Sequence, residues 1–186
     1  MADSVTGQLS RIVIDSLARG NSVEIDGLGV FHPDPVSGFR FEARTRQQIF
    51  IAYVREDLEA AQRLYEELAE AGFAPWLDIK KLLPGQNWPR AIESAIETSD
   101  FFVACFSSRS VSKKGDFQAE IRYALDCARR MPLDEIFVVP VRLDGCPLPA
   151  TIRRQYEYVD LFPDWSRGMR RLEAALESEV ARRRTR

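Results

Sequence analysis

The chain has 186 residues, room for one full domain and a small appendage. Hydrophobic residues are 45% and charged residues 29% of it, the balance of a chain that buries a core, so disorder is excluded as the main state. Lys and Arg number 26 against 28 Asp and Glu, a net charge of −2, so no global positive field recruits a phosphate backbone.

Val5, Leu9, Ile12, Val13 and Leu17 recur at helical spacing up to Gly20, which predicts an amphipathic helix over 4–19. Val23–Ile25, Val30–Phe31 and Phe39–Phe41 alternate as short strands do, separated by Asp26-Gly27 and by a Pro-rich turn over 33–38. A small antiparallel ribbon is expected there. From Gln47 onward strands alternate with helices, the pattern of a parallel sheet covered on both faces. The predicted strands are 49–54, 73–77, 101–106, 136–143 and 156–162, and the predicted helices are 55–71, 88–98, 116–130 and a last one marked by Trp165, Met169, Leu172, Leu176 and Val180. Residues 78–87, with Pro84-Gly85, and residues 107–115 read as loops. Arg182, Arg183, Arg184 and Arg186 read as a solvated, frayed helix end whose charge suits the helix dipole. The expected organisation is an appendage over 1–45 and a main domain over 46–186.

The three cysteines, Cys105, Cys127 and Cys146, have neither disulfide nor zinc spacing, and Cys105 sits inside an apolar run as an inert core residue. The single histidine, His32, is far in sequence from every other candidate group, which argues against Ser-His-Asp, Cys-His and multi-histidine metal chemistry. No metal or cofactor is expected. No charged leader and no run near ~18 apolar residues is visible, so neither secretion nor membrane insertion is expected, and a reducing cytoplasm is the expected location.

Ile49-Phe-Ile-Ala-Tyr53-Val-Arg55-Glu-Asp57, Trp76-Leu-Asp78, Leu83-Pro-Gly-Gln-Asn-Trp88, Asp100–Ser107 and Phe117-Gln-Ala-Glu120-Ile-Arg-Tyr-Ala-Leu125 follow one another in order and spacing. Over about residues 47–163 they resemble the bacterial branch of TIR domains, the Toll/interleukin-1 receptor-like family. The resemblance implies a flavodoxin-like five-stranded parallel sheet. Many members of that family cleave NAD at the nicotinamide glycosidic bond, whereas others only assemble with partner TIR domains. It therefore implies an NAD+ glycohydrolase or cyclase that treats NAD+ as substrate, self-associates through TIR–TIR contacts, and acts in bacterial antiviral defence or cell-death signalling, with another defence protein as a further partner. The alternative is a noncatalytic interaction module. Residues 12–42, through Leu17-Ala-Arg-Gly20 and Val23-Glu-Ile-Asp-Gly27-Leu-Gly29-Val-Phe31, also resemble part of the HU/IHF group. The long basic arm of that group is missing, and residues 1–45 carry four basic against six acidic side chains, which argues against DNA binding. The segment reads as an oligomerisation or sensing element.

In an open α/β sheet, ligands bind beyond the carboxyl ends of the strands, which directs attention to 53–57, 78–88 and 107–120. Glu120 falls at the margin of the stripe formed by Phe117, Ile121, Ala124 and Leu125, in the expected first turn of its helix, where the dipole favours its ionised form. Such a carboxylate can stabilise positive charge developing on a ribose, or it can merely complement the dipole. Nicotinamide leaves a cationic pyridinium as a neutral molecule, so one carboxylate suffices and no acid is required. The resemblance assigns Glu120 the catalytic role, although the family often has Trp four residues earlier, where Asp116 stands here. It also assigns Tyr53 and Arg55 to the nucleotide, Tyr53 stacking or hydrogen bonding and Arg55 pairing with pyrophosphate. Core packing and a solvated helix start are the respective alternatives. Asp78 is expected to accept from a ribose hydroxyl or to shape its loop. Trp88 is expected as a pocket lid or a core anchor, Ser107 as a phosphate donor or a strand end, and Phe117 as a substrate contact.

Overall fold

The computed structural model divides into two compact units, Met1–Arg46 and Gln47–Arg186. It describes residues 2–25, 29–43, 46–78, 87–111, 113 and 115–185, with the side chains of 2–9, 24, 42, 43 and 88 outside the description.

The first unit begins with α1 (Ala2–Ala18), followed by β1 (Val23–Ile25), β2 (Gly29–Asp34) and β3 (Gly38–Ala43), an antiparallel sheet in the order β1-β2-β3. Gly20 stops the helix because its φ of 81° needs no Cβ. The N–H of Asn21 then bonds the Ser16 carbonyl and that of Gly20 the Leu17 carbonyl, closing the last turn. At the β2–β3 turn the Asp34 carboxylate accepts from the N–H groups of Val36 and Ser37, both at 2.8 Å. Those backbone bonds hold its carboxyl below the usual range. Among the described apolar side chains of this unit only Val13 is buried, while Ile12, Ile14, Val36, Phe39 and Phe41 are exposed.

The second unit is a parallel sheet in the order β5-β4-β6-β7-β8, formed by β4 (Gln48–Ala52), β5 (Ala74–Trp76), β6 (Phe101–Phe106), β7 (Val138–Arg142) and β8 (Val159–Asp160). A single 3-10 turn, Arg55–Asp57, leads into α2 (Leu58–Glu70); α3 (Trp88–Glu97), α4 (Asp116–Ala128), α5 (Ala150–Gln155) and α6 (Trp165–Arg184) complete it. All six residues of β6 are buried, as its unbroken apolar run requires of a central strand. One core packs Ile49, Ile51, Val103 and Val141 against Leu64, Leu68, Leu172 and Leu176. The other packs Phe50, Phe102 and Phe106 against Ile96, Phe117 and Ile121. Within the second, Trp76, Phe50 and Phe102 stack across three strands, with centroids 4.7 and 5.4 Å apart.

Two expectations change. The fifth strand is only Val159–Asp160, and the six-residue α5 precedes it, too short for helical periodicity to be visible in the sequence. Arg182 and Arg183 are not part of a solvated, frayed end, whereas Arg184 is exposed and Arg186 lies outside the described residues. Arg182 and Arg183 both bond the buried Glu179 carboxylate, Arg182 reaches the Asp134 carbonyl, and Arg183 donates to the Ile136 carbonyl while lying 4.8 Å from the centre of the Phe101 ring. Burial works against the Glu179 carboxylate, but the two guanidinium groups hold its pKa below the usual range.

Candidate functional site

The sheet order places β5 and β6 on opposite sides of β4, so the chain reverses direction of travel across the sheet between β4 and β6. A crevice opens at the carboxyl ends of the strands at such a point. Tyr53 and Asp78 follow β4 and β5 closely, and the Tyr53 hydroxyl donates to Asp78 Oδ1 at 2.7 Å. Burial, then this bond, then the charges of Asp78 and Glu120 push the Tyr53 phenol well above its ordinary range.

Glu120 lies in the second turn of α4, not the first, because the helix starts at Asp116. The dipole argument for an ionised carboxylate therefore fails in the free protein. Burial pushes its carboxyl up to about 8, and the negative charges of Asp78 and then Asp116 add to the shift. Tyr53, Asp78 and Glu120 are thus one electrostatic group, drawn from three segments of chain.

A cleft of about 500 Å³ opens between α3 and α4. Its apolar wall is Pro89, Ile92, Ile96, Ala119 and Tyr123; among the described lining residues, Glu93, Asp116, Glu120 and Asp126 supply four carboxyl groups and Arg122 a cation. Such a lining suits a flat cation: apolar surface for the ring and negative potential for its charge. Among the described residues, no three His, Cys, Asp or Glu side chains are grouped to hold a metal ion.

The remaining expected residues divide. Arg55 is exposed at the start of the 3-10 turn, close enough for its charge to act on Tyr53. The Trp88 side chain and residues 79–86, including Pro84 and Gly85, lie outside the described residues. Ser107 and Phe117 face the interior, not the cleft where they were expected as substrate contacts. The buried Ser107 hydroxyl donates to Asp57 Oδ2 and accepts from the N–H groups of Arg109 and Ser110, so its hydrogen-bonding capacity is used inside the protein. Phe117 is 6% exposed and meets Phe106 edge-to-face at 5.7 Å, because α4 turns that side chain onto the sheet. Asp57, the acceptor for Ser107 and for Arg109 Nη1, had no signal of its own in the sequence. Asp116 had one: four residues before Glu120, it shares a helix face with it.

The family model described as "TIR domain" matches residues 49–173. The TIR domain of the Toll-related receptor TRR-2 from Hydra magnipapillata is similar, with a TM-score of 0.54 and 21% identity, over 68% of this chain and 97% of that one. A metazoan TIR-STING receptor from C. gigas, solved in complex with 2',3'-cGAMP, gives 0.53 and 20% over 66% of this chain and 38% of that one. A prokaryotic SEFIR domain gives 0.52 and 15% over 69% and 96%. These likenesses are likenesses of fold. No curated protein matches the chain.

Proposed function

Because the chain belongs to the TIR domain family, we propose that it cleaves NAD+ at the nicotinamide glycosidic bond, with Glu120 as the catalytic carboxylate. The observation that carries this reading is the placement of Glu120 in a cleft with apolar walls and an excess of carboxyl groups, beside Asp78 and Tyr53.

NAD+ brings a pyridinium cation into that cleft. An opposite charge nearby favours the ionised carboxyl, so substrate binding lowers the Glu120 pKa and generates the carboxylate where it is needed. As the C–N bond breaks, its electron pair goes to the ring nitrogen and nicotinamide leaves neutral. Positive charge appears on the ribose, and the Glu120 carboxylate stabilises it. Water then adds to the ribosyl carbon and releases a proton, giving hydrolysis; a nucleophile of the same ADP-ribosyl group adds instead in cyclisation. Asp78, already an acceptor from Tyr53, accepts from a ribose hydroxyl, and the exposed Arg55 pairs with the pyrophosphate. NAD+ is substrate, and no separate cofactor takes part. The activity belongs to defence or cell-death signalling in the cytoplasm after TIR–TIR assembly, with a further defence protein as partner.

Concentrated protein incubated with NAD+ is expected to release nicotinamide, and Glu120→Gln to reduce release by about 100-fold or more. Release at the wild-type rate by Glu120→Gln overturns the catalytic assignment. No release from an assembling wild-type sample favours the noncatalytic interaction module.

A further inference from the structure

Among the described residues, the six-residue strand β3 is an edge of its sheet, paired with β2 alone. Exposed edges are normally blunted by Pro, a bulge or charged side chains, especially Lys. Gly38-Phe-Arg-Phe-Glu-Ala43 contains no Pro and no bulge, its two charged residues are of opposite sign, and β3 pairs in unbroken register with β2 from Gly38↔Asp34 to Ala43↔Gly29.

The outward groups of β3 follow from one residue. Pro33 has no N–H to exchange, so Pro33↔Phe39 is a non-hydrogen-bonded pair, and the alternation places Phe31↔Phe41 and Gly29↔Ala43 in the same class. The backbone N–H and C=O groups of Phe39, Phe41 and Ala43 therefore point away from β2. The Phe39 carbonyl agrees: it accepts from the Ser37 hydroxyl at 3.0 Å.

We propose that β3 pairs antiparallel with β3 of a second copy of this chain, about a two-fold axis through Phe41, to make a continuous six-stranded sheet. In this register Phe41 faces Phe41 and Phe39 faces Ala43, each exchanging the outward backbone bonds. Arg40 of each copy then falls opposite Glu42 of the other at the non-hydrogen-bonded register positions. A shift of one residue at each copy sets Arg40 against Arg40 in one direction and Glu42 against Glu42 in the other. Charge therefore selects one register. The pairing also brings together the two Phe41 rings, each 39% exposed and 4.6 Å from its own Phe31. It answers the unit's shortage of core, since a segment of about 40 residues seldom stands without a partner.

The full-length protein tests this by charge exchange and by crosslinking. Arg40→Glu and Glu42→Arg each place two like-charged pairs across the axis and should weaken dimerisation about tenfold in sedimentation equilibrium. An equimolar mixture of the two variants, which restores both opposite-charge pairs in a heterodimer, should recover wild-type affinity. Mild oxidation of Phe41→Cys should give a covalent dimer, because facing residues of a hydrogen-bonded pair have Cα atoms about 5.5 Å apart, within disulfide reach. Phe39→Cys should not, since the two sites lie about 13 Å apart in this register. The three native cysteines are buried and do not compete. Unchanged association of the single variants, no recovery in the mixture, or crosslinking at 39 as readily as at 41 overturns the proposal. None of these outcomes depends on NAD+ cleavage.

Discussion

In the proposed reaction, Glu120 couples activity to pH through its own burial. Its carboxyl must ionise to stabilise a ribosyl cation, and in the free protein it does so at about 8. We expect kcat/KM for nicotinamide release to rise about tenfold per pH unit below 8 and to level off above it. Asp116→Asn removes one of the like charges and should move the midpoint to lower pH. A profile flat between pH 6 and 9 contradicts the assignment. The same group acts on stability with the opposite sign. Below about 4.5 the carboxyl is neutral folded and unfolded; between about 4.5 and 8 the unfolded chain releases a proton that the folded chain retains, so stability falls as pH rises through that window. Glu120→Gln should abolish that slope and, at pH 8, raise unfolding free energy by about 1–3 kcal/mol, read by urea denaturation.

The end of α6 is secured by an ion cluster, not by propensity. Glu179 is 2% exposed, and Arg182 and Arg183 satisfy its oxygens while also reaching carbonyl groups of the segment before β7. Glu179→Ala leaves two guanidinium groups without their shared acceptor and should lower stability by about 2–4 kcal/mol in denaturant unfolding. At the other end, α6 approaches β8 at Gly168. A Cβ there would meet the Asp160 carbonyl oxygen at 2.3 Å and the Leu161 Cα at 2.8 Å, both backbone atoms that cannot turn aside. Gly168→Ala should therefore destabilise by about 1–3 kcal/mol despite the better helix propensity of alanine, again measured by denaturant unfolding.

For the whole chain, the two proposals meet in the dependence of activity on concentration. A second copy held by β3 raises the effective concentration of one TIR domain near another, which favours contacts too weak to form in dilute solution. Specific NAD+ cleavage should rise with protein concentration, Arg40→Glu should shift that rise to higher concentration, and mixing with Glu42→Arg should shift it back. Equal specific activity of wild type and Arg40→Glu throughout a dilution series separates the edge strand from catalysis.

Local pattern was enough to read the alternation of strands and helices after Gln47 and the buried β6, because periodicity is a property of neighbours in sequence. The tertiary structure alone decided what those positions contact. Ser107 was turned inward by Asp57, 50 residues away in the chain, and Phe117 by the Phe106 ring against which α4 packs. Arg182 and Arg183 became an anchor because Glu179 is buried beside them, and the Glu120 carboxyl was pushed up by its burial first and by the charges of Asp78 and Asp116 second. A side chain's ionisation and burial are fixed by the charges and surfaces around it in space, and those are assembled from segments that carry no mark of one another in the sequence.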